Sequence, residues 1–448
     1  GVQRRTGQTL WRVEREVNRD VGDFLGFGNA AERDIGKQSC AAATVQVIAC
    51  HCGVGEAGCD RVAANPVFGV GAGDALMHGE HPPAMALVNP NREDDTSGLG
   101  HMAAAGVTFM LLVALNREAK SRGQSDLPDL RKFLDLAARG TVCDVVSLTG
   151  VNRLLVTLGL KVMSARTNPG IDALARAAGL HDPSEPMDSY TCGFVLGPRI
   201  NAGGRIGQAD MGAKLLSSED GDEIERFADE LDHINAQRKI LQERILREAF
   251  ESAAKLPDDH AVTLVAMENW HAGVIGIIAG RLKDQYSRPA IVIGIDEDEN
   301  GIPIGKGSGR SIKGVNLGGA ISAARDKGLL IAGGGHEMAA GLSIEPEKIP
   351  EFTEFIENLL RDDVTKARAN PEYKIDALLS ASGANLDLIE QIKQVGPYGA
   401  GNPQPVFAFP NMRISYAQAL KGGHVRCAFE DKGGARIGGI AFRAEDSG

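Results

Sequence analysis

One carboxylate stands where an apolar residue is expected. Asp144 interrupts Val142-Cys-Asp-Val-Val146 inside the strand-like run Gly140–Leu148. A carboxylate in a buried strand must be paired, hydrogen-bonded or bound to a metal ion. Open α/β sheets place their ligands at the carboxyl ends of strands. Asp144 is therefore a candidate catalytic residue and metal ligand. A helix N-cap, or a buried aspartate with backbone partners, would explain it too.

Two glycine-rich stretches point to the opposite charge. Gly305-Lys-Gly-Ser-Gly-Arg-Ser311 is followed, one helix later, by Leu330-Ile-Ala-Gly-Gly-Gly-His336. The run Gly333, Gly334, Gly335 costs backbone entropy and suits a backbone that approaches something closely. Read as loops, both expose N–H groups beside Lys306, Ser308, Arg310, Ser311 and His336. Residues 302–322 hold three Lys/Arg and no Asp or Glu. Amides and cations together make an anion cradle; two ordinary tight turns beside a helix are the alternative. Phe194–Gly207 reads as a third loop, basic and glycine-rich, with Arg199 and Arg205 flanking Asn201-Ala-Gly-Gly204 and no acid among them; its alternative is a solvated turn. His271 precedes a helix start and could face a phosphate there, or cap or pack. His101 and His233 read as structural, Asp94 and Asp95 as a solvated loop.

The elements that must position these groups follow from the whole chain. With 448 residues there is room for two to four domains. Hydrophobic residues make up 43% and aromatics 5%, with 56 glycines, which suits an α/β protein rich in strand-to-helix turns. No run approaches the ~20 apolar residues of a membrane span. No apolar segment follows Gly1-Val-Gln-Arg-Arg, so no secretory signal is expected. A net charge of −11 argues against indiscriminate nucleic-acid binding, but not against a local basic groove on an acidic body. Seven cysteines suggest no disulfide framework, and a reducing cytoplasm is the default. Cys40, Cys50, Cys52 and Cys59, with His51, His78 and His81, lack the paired spacing of a zinc site.

Residues 1–80 show no sustained periodicity. From Pro82 a short strand, a polar loop and helices over Met102–Leu115, Leu127–Ala138, Asn152–Leu158 and Gly170–Ala178 are expected. A long helix over about Glu219–Lys255 carries Ile224, Phe227, Leu231, Ile234, Leu241 and Ile245 on one narrow stripe, as a bridge between domains would. Strands at 261–266 and 290–295 flank a helix at 274–282. A further helix, a strand at 340–344 and a helix at 349–360 complete a second α/β unit. Gly396–Pro403 is a structured turn, and short strands at 412–416, 424–429 and 435–442 suit a small barrel. No strand–G-x-G-x-x-G–helix unit is present, which disfavours a nicotinamide enzyme.

Taken together, Asn89-Pro-Asn-Arg92, Gly140-Thr-Val-Cys-Asp144, Leu196–Gly207, Trp270-His-Ala-Gly-Val-Ile-Gly276, Ser308-Gly-Arg-Ser311, Gly333-Gly-Gly-His336 and Gly399-Ala-Gly-Asn-Pro403 resemble the RecJ family. These are bacterial single-stranded-DNA-specific 5′→3′ exonucleases of the DHH phosphoesterase superfamily. The resemblance runs from about Pro82 to Phe442. It implies two α/β domains (DHH and DHH-associated) joined by a long helix, plus a C-terminal OB-like β-barrel. The boundaries expected are 81–218, 219–256, 257–365 and 366–448, the last a truncated barrel. Asp144 would be the catalytic carboxylate and a ligand of Mn²⁺ or Mg²⁺. Arg199, Asn201, Arg205, Ser308, Arg310, Gly334, Gly335 and His336 would bind substrate. Single-stranded DNA, a single-strand-binding protein and a helicase are the implied partners of a cytoplasmic monomer acting in DNA repair and recombination. The family's Asp-Tyr-Asp-x-Asp-Gly and Asp-His-His motifs are absent, with Gly73–His81 where Asp-His-His should fall; His51-Cys52-Gly53 is the nearest match to the family's Asp-Cys-Gly motif. A disrupted reading frame upstream of about residue 75 is expected from this. An inactive single-stranded-DNA-binding fragment, or a phosphoesterase acting on short oligonucleotides, are the alternatives.

Overall fold

Apolar runs broken by glycine and charge build a five-stranded sheet in the second half of the chain. A computed structural model describes residues 48–49, 69–70, 87–92, 94–298, 300–369, 374–421 and 423–442. The remaining residues, among them Cys40, Cys50, His51, Cys52, Cys59, His78 and His81, lie outside the described set. The first part holds three two-residue parallel strands, β1 (Ile48–Ala49), β2 (Gly69–Val70) and β3 (Leu87–Val88). Helices α1 (Ala104–Ser121), α2 (Leu134–Cys143), α3 (Gly150–Ser164) and α4 (Pro169–Ala177) follow. A π-helical turn, Thr191–Leu196, runs straight into α5 (Gly197–Ile206), then α6 (Met211–Ser217) and the 33-residue α7 (Gly221–Ala253).

The apolar stripe of α7 serves two cores. Ile224, Phe227, Ala228 and Leu231 pack among the helices of the first part, with Leu174, Leu196 and Leu215. Ile245, Ala249 and Ala253 pack against Val265, Ile278 and Val292 of the sheet unit. Asp220 opens α7 by accepting the N–H groups of Asp222 and Glu223, the usual work of an N-cap aspartate.

The sheet runs β4 (Thr263–Glu268), β5 (Ala290–Glu297), β6 (Pro303–Arg310), β8 (Ala339–Ile344), β7 (Ala332–His336), with β4 and β5 parallel and the rest antiparallel. Helix α8 (Ala272–Tyr286) covers one face. Helices α9 (Leu317–Asp326) and α10 (Ile349–Ala369) cover the other with Ile321, Phe352 and Ile356. Glu357 of α10 is buried and fastens the start of β4. Its carboxylate accepts the N–H of Ala261 at 2.6 Å and of Val262 at 3.0 Å, and a hydrogen bond from Arg361 at 3.0 Å. Glu357→Gln turns one acceptor oxygen into a donor facing a buried N–H. Thermal unfolding should show a loss of about 2 kcal/mol; an unchanged melting temperature would refute the fastening role.

The C-terminal part has a two-residue parallel pair, β9 (Ala377–Leu378) and β10 (Phe407–Ala408), around α11 (Leu386–Gln394). A three-stranded antiparallel sheet follows: β11 (Arg413–Leu420), β12 (His424–Glu430), β13 (Arg436–Ala441). Among the described residues this sheet does not close into a barrel. The turn after α11 docks on the helical part. The N–H of Leu148 donates to Ala400 O at 2.7 Å and the Ser189 hydroxyl to Tyr398 O at 2.8 Å.

Three expectations are corrected. Gly140–Leu148 is not a strand: α2 ends at Cys143, and Asp144 is its exposed C-cap. The apolar residues there belong to a helix face, where Ala137, Ala138 and Thr141 are buried. Phe194–Gly207 is not a loop but the π turn and α5. Its small residues let two helices approach: a Cβ on Gly203 would lie 3.2 Å from Leu231 of α7 and 2.9 Å from Gln208 O. The stretches around Lys306 and Gly333–His336 are strands β6 and β7. Along β6, Gly305, Gly307 and Gly309 face Ile344, Leu342 and Leu317, whose side chains fill the space a Cβ would need.

Candidate functional site

The strand period of two puts Lys306, Ser308 and Arg310 on the face of β6 opposite those glycines. That face is covered by α8, which comes close because Gly276 has no side chain: a Cβ there would sit 3.0 Å from Arg310 Nη2 and from Ser308 Oγ. Arg310 Nη1 donates to Ser308 Oγ at 3.1 Å and to Gly309 O at 2.8 Å.

The N-terminus of α8 lies beside the end of α5. Arg205 Nη1 donates to Gly273 O at 2.8 Å. His271 caps α8, its Nδ1 accepting the Gly273 N–H at 3.0 Å; of the two roles open for it, capping is the one the geometry shows. His271→Ala should cost about 1 kcal/mol of stability, the usual loss of an N-cap, read by denaturant unfolding; no loss would mean that the cap is idle. Trp270 Nε1 donates to Glu248 Oε2 at 2.8 Å and ties this turn to α7.

A third arginine, not anticipated from sequence, comes from α7. Arg238 is 7% exposed and is held by Asn235 Oδ1 and Gln242 Oε1. Its signal was present: position 238 continues the apolar stripe from Ile234 to Leu241, so a cation there breaks the pattern.

Electrostatics join the three. Burial lowers the pKa of Arg205, Arg238 and Arg310 below the ordinary arginine value, and the charge of Arg205 lowers Arg238 and Arg310 further. Among the described residues none of the three forms an ion pair. Like charges crowded together without a counter-ion favour an anionic ligand, and forked guanidinium donors fit phosphate oxygens. The N-terminal dipole of α8 adds to the same field.

Most of the other residues singled out from the sequence have partners of their own. His336 ends β7 in the cross-strand row Arg310–Ala339–His336, on the Arg310 face and about 10 Å away by strand spacing. It is exposed, and its Nδ1 accepts the Met338 N–H at 3.3 Å. Gly334 and Gly335 pair with Gly341 and Ala340 of β8. Arg199 has an acid after all: its Nε donates to Asp232 of α7 at 2.8 Å, and its Nη1 to Val195 O at 2.6 Å. Asn201 is half-buried on α5.

Asp144 makes no hydrogen bond to Arg205, Arg238 or Arg310 among the described residues; its N–H donates to Gly140 O at 3.0 Å. The residue after it, Val145, has φ +56°, a left-handed conformation rare for a β-branched side chain. Among the described residues no group of three His, Cys, Asp or Glu is placed to hold a metal ion. Asp144 alone does not make a metal centre.

Comparison with known proteins bears on both halves. A DHHA1 domain family model matches residues 259–362, and a RecJ OB domain model matches residues 375–448. The chain is 37% identical over 326 residues to the single-stranded-DNA-specific exonuclease RecJ of Bacillus subtilis, covering 73% of this chain and 39% of the relative. It is 34% identical over 378 residues to the protein of that name from Salmonella typhimurium, covering 81% of this chain and 64% of the relative. The crystal structure of RecJ in complex with Mn²⁺ from Thermus thermophilus superposes with a TM-score of 0.66 at 28% identity, over 86% of this chain and 53% of that one. The chain thus spans between 39% and 64% of the length of these curated relatives.

Proposed function

We infer from its DHHA1 and RecJ OB domains that this chain belongs to the RecJ family, and from that premise we propose that it grips single-stranded DNA by its phosphates in the Arg205–Arg238–Arg310 cleft. The carrying observation is that Arg205, Arg238 and Arg310 form no ion pair among the described residues, while the charge of Arg205 acts on both of the others. Ser308 orients Arg310, Gly276 leaves room for its fork, and His336 extends the row along the sheet. A local basic cleft on a chain of net charge −11 confines the polyanion to one place.

In this reading the activity is single-stranded-DNA-specific 5′→3′ exonucleolytic hydrolysis, supported by Mn²⁺ or Mg²⁺, with Asp144 as the catalytic carboxylate and metal ligand. A single-strand-binding protein and a helicase as partners, a monomeric state and a cytoplasmic setting belong to the same proposal. No helix among the described residues is long and apolar enough to cross a membrane.

One observation favours a second reading, a protein that binds single strands without cutting them: among the described residues Asp144 belongs to no group of three or more His, Cys, Asp or Glu placed to hold a metal ion. Incubation of the full chain with 5′-labelled single-stranded DNA and Mn²⁺ separates the two. Release of labelled mononucleotide, abolished by Asp144→Ala with binding retained, supports the nuclease. Binding without release supports the second reading, and no binding at all refutes both.

A further inference from the structure

We propose that Cys143 and Cys192 are a peroxide-responsive pair that closes to a reversible disulfide. Cys143 is the last residue of α2 and Cys192 the second of the π turn, 49 positions apart in the chain. The Cys143 thiol lies 3.7 Å from the carbonyl oxygen of Cys192, which sets the two residues directly against one another. A missing side chain makes the meeting possible. Gly197 opens α5 against Cys143, and a Cβ there would come within 2.7 Å of Cys143 Sγ.

The two thiols differ in access, and the difference assigns their roles. Cys143 is partly exposed and can meet a small oxidant, whereas Cys192 is fully buried and meets only its neighbour. Hydrogen peroxide oxidises the Cys143 sulfur to a sulfenic acid and leaves as one water. The Cys192 sulfur then attacks that sulfur, the S–S bond forms, and the sulfenic oxygen leaves as a second water. Two thiols lose two electrons in all, and one peroxide gains them. Cys427 supplies an internal contrast. It sits on β12, and its thiol donates to the Val425 carbonyl at 3.9 Å. The bridge would tie the residue before Asp144 to the turn that starts α5, the helix of Arg199 and Arg205. It does not rest on the nuclease reading.

The test treats the purified full chain with hydrogen peroxide, blocks remaining thiols with iodoacetamide, and maps peptides without reduction by mass spectrometry. The expected product is a Cys143–Cys192 cross-linked peptide that dithiothreitol reverses and that Cys143→Ser and Cys192→Ser each abolish. Sulfinic or sulfonic acid at Cys143 with Cys192 still alkylated after denaturation would overturn the proposal. So would cross-links that join Cys143 to any other cysteine instead. The readout is chemical and independent of DNA binding, so loss of the nuclease reading would leave it intact.

Discussion

Replacing Arg310 with methionine should weaken binding of single-stranded DNA by about 10- to 100-fold, while the DNA-free protein melts at the same temperature or higher. The loss follows from one charge-assisted, forked contact to phosphate, worth about 1.5–3 kcal/mol. The retained stability follows from the cleft itself. Arg310 is partly buried beside Arg205 with no counter-ion, and both burial and that neighbouring charge press its pKa down. Removing such a cation for an apolar chain of similar length relieves repulsion and desolvation. Against this stand two lost hydrogen bonds, to Ser308 Oγ and Gly309 O, so the net change is small. Salt dependence gives a second measure: the slope of log affinity on log salt should flatten by about 0.7 for each single-strand phosphate that the variant leaves unneutralised. Arg310→Lys should recover part of the affinity, since it keeps charge but not the fork. Fluorescence-anisotropy titrations at several salt concentrations, paired with thermal melts, check all of this. Unchanged affinity, or weaker binding only in step with a lower melting temperature, would remove Arg310 from the grip.

The cleft and the fold were unequally legible in the sequence. Helices and strands with strong periodicity, such as α7 and β5, could be read from their apolar spacing because burial of one face dictates that spacing. Glycine-rich stretches could not. Gly203, Gly276 and Gly307 are small because of side chains and carbonyls from distant parts of the chain, and local sequence does not show those neighbours. Hence β6, β7 and α5 read as loops. Asp144 illustrates a different ambiguity. Val142-Cys-Asp-Val-Val146 is too short to separate a strand from the end of a helix, and β-branched residues favoured the strand. Arg199 looked free because its acid, Asp232, lies 33 positions away on another helix. Arg238 was readable in principle as a cation on an apolar stripe, yet only the fold brings it into the field of Arg205.

The glycine run before His336 holds the sharpest stability contrast, because adjacent identical residues do different work. Gly335 has φ +154°, a conformation L side chains rarely adopt. A Cβ there would lie 2.3 Å from Ala339 O and 2.6 Å from Ala340 Cα, both backbone atoms of the partner strand β8. Neither can yield without breaking the β7–β8 pairing that sets His336 in line with Arg310. Gly335→Ala should therefore cost about 3 kcal/mol or more, the sum of backbone strain and forced overlap. Gly334 has nothing within 4 Å of its would-be Cβ and no left-handed backbone. Gly334→Ala should stay within about 0.5 kcal/mol of the parent, the range of a surface change that meets nothing. Denaturant unfolding of the pair decides it. Equal stabilities would mean that β7 adjusts freely and that the hairpin does not hold His336 in place. A loss confined to Gly335→Ala, with weaker single-strand binding beside it, would show that the run exists to bring one strand edge tight against its neighbour. Backbone amides held open for a ligand would instead make Gly334 the sensitive position, since its site is the open one.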